Sequence, residues 1–317
     1  MQILYNRKKY ICLPEETVLE ALLRENVDIP NHCGHQVCLS CLMCSLDGSP
    51  PASSQIGLNE TLRLQNYFLA CGCKPERDME IGLPQESFAM EVPATVLSVH
   101  QLNAQSLSIS LQCDEAILDY KSGQSIILLN HDNIGSKCAI VSPTNSRLTG
   151  QLEIHLDLSE NACFRKWAEM KLAAGIKMRL YGPLGNMTYH ATAYTQPILL
   201  AAKNSGLSYL AGIMQDVFSR EHIGKIYLFH EVDAVENLYL TDELNEIGHY
   251  YSNFQYFPCV LQSSQNSTAS HRMKQTVSNL NGGQAFICGP KDFIYAIQKQ
   301  SFLAGCKTNN IFVEITK

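Results

Sequence analysis

The stretch Cys33-Gly34-His35-Gln36-Val37-Cys38-Leu39-Ser40-Cys41 spaces three thiols as C-x4-C-x2-C, and a fourth, Cys71, follows in Leu69-Ala70-Cys71-Gly72. A loop this tightly spaced can wrap thiolates around one side of an inorganic cluster and turn its backbone N–H groups toward the sulfurs. The fourth ligand can come from far along the chain, because folding brings it in. The spacing is that of [2Fe–2S] sites, so Cys33, Cys38, Cys41 and Cys71 are the expected ligands. Zinc is the alternative, since Cys38-x2-Cys41-x2-Cys44 and Cys71-x-Cys73 offer a tetrahedral thiolate set. It is disfavoured because zinc sites pair two C-x2-C knuckles and need no C-x4 partner. Cys44 and Cys73 are read as non-ligands.

Outward from this loop, Met1 to Leu13 alternates as a hairpin (Ile3, Tyr5, then Tyr10, Cys12), and Thr17 to Asn26 reads as a helix with Val18, Leu19, Leu22 and Leu23 apolar. Hairpin, helix, cysteine loop and late cysteine, in that order, resemble the β-grasp fold of plant-type ferredoxins, over a first domain drawn at residues 1–88. One departure stands out. The resembled proteins carry Gly two residues before the second cysteine, where this chain has Gln36, and a positive φ there would strain Gln. His32 and His35 flank the loop and are the histidines placed to tune a cluster by hydrogen bonding or charge.

Composition sets bounds on function. With 317 residues the chain exceeds one ordinary core. Hydrophobic residues at 45% against 17% charged argue for packed domains rather than disorder. A net charge of −6, with no basic run longer than Arg7-Lys8-Lys9, gives no surface for neutralising phosphates, so nucleic acid is not an expected partner. The start lacks the apolar core of a signal peptide and no eighteen apolar residues run together, so a soluble, cytoplasmic protein off the membrane is expected. The thirteen cysteines are odd in number and clustered around one loop, which is not a secreted disulfide framework. Cys12, Cys113, Cys259 and Cys306 read as small apolar fillers.

Pro84 and Pro93 bracket a polar linker. Beyond it, Thr95 to Val99, Ser106 to Leu111, Ser125 to Leu129 and Gln151 to Leu158 give closely spaced strand signals with Gly123 and Gly150 between them. A helix-like segment, Phe164 to Ala174, interrupts them. This is the pattern of an antiparallel barrel, drawn at 89–194. From Pro197 the rhythm changes to strands at Ile198–Ala202, Lys225–His230, Phe254–Val260 and Gln284–Cys288 alternating with helices. A parallel α/β domain is therefore expected over 195–317, with any ligand at the carboxyl ends of its strands. The fold class is thus multidomain α+β and α/β.

Ferredoxin, barrel, α/β domain is the order of the NADH-dependent oxygenase reductases, and short motifs add to the likeness. Ser122-Gly123-Gln124 resembles their P-G-Q, Tyr181-Gly182-Pro183-Leu184-Gly185 their G-P-x-G, Leu238-Tyr239-Leu240-x-Asp242-Glu243-Leu244 a stretch of the third domain, and Cys288-Gly289-Pro290 their C-G-P. The resemblance implies FAD and NADH beside the [2Fe–2S] cluster. It places the Cys288 thiol near the nicotinamide, with Gly289 and Pro290 lining that site. The flavin motif R-x-Y-S falls in register on Ser136, Lys137, Cys138 and Ala139, ahead of Ser142, with none of its three signature residues kept. A second flavin turn, G-x-x-S, reads Ala162-Cys163-Phe164-Arg165 ahead of Trp167, where Arg165 or Arg147 offers replacement charge for the pyrophosphate. The phosphate turn G-G-T-G reads Lys203-Asn204-Ser205-Gly206, so only Gly206 is retained. The second α/β strand ends in His230-Glu231-Val232-Asp233, whose Asp233 suits ribose hydroxyls and repels a 2′-phosphate.

Two functions follow. One is a reductase taking electrons from NADH and delivering them singly to a separate redox acceptor such as an oxygenase. The other is a one-electron carrier or scaffold whose reductase domains have lost flavin or nucleotide.

Overall fold

The computed structural model describes residues 1–27, 29, 31, 36, 41–56, 58, 62–63, 65–83, 90–113, 120–144, 149–159, 161–185, 187–189, 194–262 and 268–316. The domain boundary drawn at 88 falls outside them.

The first unit starts with β1 (Gln2–Tyr5) and β2 (Lys8–Ile11), joined through Asn6 and Arg7, which both have positive φ. That two-residue turn matches the twist of the strands it connects. α1 (Val18–Arg24) begins on a capping box, the Thr17 side chain accepting from Glu20 N while the Glu20 carboxylate accepts from Thr17 N, and buries Val18, Leu19, Ala21 and Leu22. With β3 (Leu42–Ser45), β4 (Tyr67–Leu69) and β5 (Met79–Gly82) the sheet order is β2-β1-β5-β3-β4, and only β1 and β5 run parallel.

Six strands then close a barrel in the order β10-β7-β6-β11-β8-β9. They are β6 (Met90–Gln101), β7 (Ser106–Cys113), β8 (Ser125–Leu129), β9 (Gly135–Ile140), β10 (Gln151–Asp157) and β11 (Lys177–Leu184). Alternate residues, among them Ile126, Leu128, Cys138, Ile140 and Ile154, fill the interior. α2 (Ala162–Lys171) buries Phe164 and Trp167 against the same cluster.

The last unit is a five-stranded parallel sheet, β14-β13-β12-β15-β16. Its strands are β12 (Ile198–Lys203), β13 (Ile226–Val232), β14 (Phe254–Val260), β15 (Gln284–Gly289) and β16 (Ile311–Ile315). The helices α3 (Leu207–Ser219), α4 (Thr241–Tyr250), α5 (Ala269–Thr276) and α6 (Lys291–Leu303) alternate with them. The order reverses between β12 and β15, and the crevice outside their carboxyl ends is where such sheets bind ligands.

The barrel is the mount for the other two units. Outward-facing Ile127 and Leu129 of β8 and Tyr181 and Leu184 of β11 join the hydrophobic core of the first unit. Ala139 of β9 and Val141, just past its end, join the core of the third. Thr144 adds a polar tie, its hydroxyl donating to the Asp216 carboxylate at 2.7 Å and its N–H to the same group at 3.0 Å. Since β8 pairs with β9, the first and third units lean on neighbouring strands of one wall. Among the described residues no helix is long and apolar enough to cross a membrane.

In the barrel and the parallel sheet, three strands have no counterpart in the sequence reading. β9 is buried along its whole length and so shows no alternation, β11 carries Gly182 and Pro183 near its end, and β16 is a short apolar run after two Asn. The helix expected from Phe164 to Ala174 instead starts at Ala162, because Asn161 caps it, and ends at Lys171.

Candidate functional site

β3 and β4 pair antiparallel in the register Leu42↔Leu69, and Ala70 N donates to Cys41 O at 2.9 Å. This register places Cys41, just before β3, beside Cys71, just after β4. Cys41 is buried and Cys71 half-buried. Cys33 and Cys38, with His32 and His35, lie outside the described residues. Cys44 is held inside β3, where its thiol donates to Gln65 O at 3.4 Å. Cys73 is fully buried, and burial pushes its thiol up to about 12, so at neutral pH it is not a thiolate. Of the four cysteines the spacing assigns, Cys41 and Cys71 are among the described residues and lie near one end of this strand pair, and thiol donors suit a [2Fe–2S] cluster. Gln36 has φ +57°, so the loop does take the left-handed conformation for which Gly is the usual residue.

The residues that the resemblance sets against FAD form no seat for it among the described residues. Ser136 and Cys138 share the inward parity of β9 and are each 1% exposed, with Cys138 in the barrel core. The outward residues of that strand are Lys137 and Ala139. The Lys137 ammonium meets the Glu314 carboxylate of β16 at 2.6 Å, both side chains buried, and lies 5.3 Å from the centroid of the Tyr209 ring. The Ser142 hydroxyl accepts from Glu153 N at 2.6 Å. Arg165 is exposed and paired with Glu169 one helical turn on. At the head of α2 the Asn161 carboxamide accepts from Cys163 N and Phe164 N and donates to Gly135 O, so the helix terminus is capped by the chain itself. Arg147 lies outside the described residues.

At the switch point, Gly206 packs on the end of β15. A Cβ there would sit 2.7 Å from Cys288 O, so only Gly allows the approach. Cys288 is fully buried against Met187, with 3.7 Å between their sulfurs, and burial raises its thiol well above the usual value. Gly289 is buried and half-buried Pro290 caps α6. The turn after β12 is tied down by its own side chains. Asn204 Nδ2 donates to Asp233 at 3.0 Å, Ser205 Oγ donates to Asp157 of β10, and Tyr239 OH donates to Ser205 O at 3.2 Å. His230 Nε2–H donates to Asn204 O at 3.0 Å, and burial holds the ring neutral, its pKa lowered to about 4. Burial opposes the Lys203 charge, but Glu231 at 3.2 Å and Asp233 at 3.4 Å hold its ammonium above the ordinary lysine value. Glu231 is also anchored, accepting from Ala269 N at 2.8 Å, while Asp233 is the more exposed of the two carboxylates on Lys203.

Glu314, Asn161 and Asp157 therefore matter here although the sequence reading does not name them, and it names Lys137 and Tyr239 only within resembled motifs. Only the outward parity of Lys137 on a strand could have pointed to it.

Comparison with known proteins agrees with this build. Residues 5–76 match the 2Fe-2S iron-sulfur cluster binding domain and residues 202–299 the oxidoreductase NAD-binding domain. The phenol hydroxylase P5 protein of Acinetobacter pittii is 26% identical over 87% of this chain and 82% of its own length. The reductase subunit of an Amycolatopsis aromatic O-demethylase is 24% identical over 90% and 89%. Among solved structures, the Amycolatopsis cytochrome P450 reductase GcoB superposes with a TM-score of 0.66 at 22% identity, covering 99% of this chain and 98% of that one. The ferredoxin reductase in carbazole 1,9a-dioxygenase gives 0.64 at 17%, covering 98% and 97%. A match to a 2Fe-2S domain, a closed barrel and a match to an NAD-binding domain follow one another in this chain, and its similarity to these oxygenase reductase components runs over most of its length.

Proposed function

We propose that the chain is a nicotinamide-dependent iron–sulfur oxidoreductase that delivers single electrons to a separate acceptor protein, an oxygenase component. The observation that carries this reading is the β3–β4 register, which sets Cys41 beside Cys71 at one end of the first unit. Cys33, Cys38, Cys41 and Cys71 would hold a [2Fe–2S] cluster, which when bound supplies one-electron exchange. The remaining residues act on binding and placement. The switch-point crevice would take the nucleotide, where half-exposed Asp233, held by Lys203 and Asn204, accepts from ribose hydroxyls and disfavours a 2′-phosphate, so NADH is the donor of choice. The barrel wall keeps the thiolate unit and the nucleotide unit on adjacent strands. NADH gives two electrons at once and the cluster takes one, so FAD would be the group that divides them, although Ser136, Cys138 and Arg165 do not form its seat.

A second reading has its own observation in its favour. The buried Lys137–Glu314 pair closes the junction between barrel and nucleotide sheet, as expected of a carrier whose reductase half serves as a scaffold. One experiment separates the two. The purified chain is incubated with excess FAD, freed of unbound flavin, analysed for what remains, and mixed anaerobically with NADH while the cluster absorbance is followed. Bleaching by NADH supports the reductase. A cluster that dithionite reduces and NADH does not, with no flavin retained, supports the carrier.

A further inference from the structure

Gln36 combines two features that are each unfavourable. Its backbone is left-handed, and its Oε1 is buried with no hydrogen-bond partner among the described residues. Such a combination persists only where the surroundings over-determine it. The surroundings here are the other half of the ligand set. A Cβ built on Gly72 would fall 2.1 Å from Cδ and Nε2 of Gln36 and 2.6 Å from its Oε1. The carboxamide thus occupies the space that any side chain at position 72 would need, on the backbone next to Cys71.

We infer that Gln36 is a positioning residue of the cluster site, clamping the chain ahead of Cys41 onto the segment of Cys71. The inference rests on the assignment of those four thiols. The left-handed turn directs the side chain across to Gly72, and Gly72 leaves the seat free. The ligand set is then tied at two points, Cys41 O to Ala70 N at 2.9 Å and Gln36 on Gly72. Iron leaves such a site when a thiolate swings away, and the clamp opposes that swing.

The test uses the full chain and a double-mutant cycle. Gln36→Gly accepts the left-handed backbone without strain but has no carboxamide. Gln36→Asn tolerates the same φ but is one methylene too short. Gly72→Ala drives the carboxamide off its seat. Each is expected to speed iron release to a chelator by roughly tenfold, in line with other groups that support metal ligands, and to shift the EPR g-values of the reduced cluster, which a loss of stability alone does not do. Once residue 36 is Gly, adding Gly72→Ala should cost no more than about twofold further, because the clash is gone. Additive effects, or unchanged release in both Gln36 variants, overturn the clamp. A wild-type chain that holds neither iron nor sulfide overturns the cluster assignment beneath it. The Gln36 variants keep the test valid if Gly72→Ala fails to fold.

Discussion

Cys71, the proposed ligand, and Cys73 lie two residues apart and differ in their surroundings, so position rather than residue type would separate ligand from filler. Half-buried Cys71 stands at the strand end beside Cys41, while Cys73 is sealed in the core, its N–H donating to Ala70 O at 3.3 Å. Cys71→Ala is expected to abolish the cluster, since metal binding and folding are coupled in sites of this kind. Cys73→Ala is expected to keep the cluster while lowering stability by about 1–2 kcal/mol from the cavity it leaves. Iron content and denaturant midpoints distinguish the two. His230 behaves as a different kind of buried group. Burial lowers its pKa to about 4, against about 6.5 in the unfolded chain, so the unfolded state takes up the proton first. Its contribution to stability is therefore complete above about pH 6.5 and falls as the pH drops toward 4, by roughly 2–3 kcal/mol. Chemical denaturation at several pH values should show a shallower loss in His230→Gln than in the wild type.

At the scale of the element, the limits of reading a sequence are set by strand parity and by caps. The amphipathic α1 and the alternating β7 are legible because one face of each is apolar. β9 is not legible, because the barrel buries one face and the third unit the other, so all six residues are buried. Motif register set Ser136, Cys138 and Ala139 against a ligand, whereas the pleat turns the first two inward and packs Ala139 into the core of the third unit. α2 shows the same limit, since its start is decided by Asn161, a residue outside the motif. Asn161→Ala removes two cap bonds and the bond to Gly135 O. It is expected to destabilise the barrel by about 1–2 kcal/mol in urea denaturation.

For the whole molecule, the three-part organisation was legible because the rhythm of the sequence changes twice, from a cysteine-loop unit to close strands and then to alternating strands and helices. The contact that joins the last two parts was not, since Lys137 and Glu314 lie 177 residues apart and only folding pairs them. Both charges are buried, so truncating one strands the other without solvent. Lys137→Met should cost about 3–5 kcal/mol, and adding Glu314→Leu should recover most of it, as replacing both partners of a buried pair commonly does. Denaturation of the two variants side by side checks this. The central claim, that one [2Fe–2S] centre on this chain exchanges single electrons, is tested most directly on the intact protein purified without oxygen. Iron, acid-labile sulfide and zinc are counted per chain, and EPR spectra are recorded during stepwise reduction. The account predicts about two irons and two sulfides per chain and an EPR signal that grows in with one electron. Zinc without sulfide, or a reduced protein with no such signal, would contradict it.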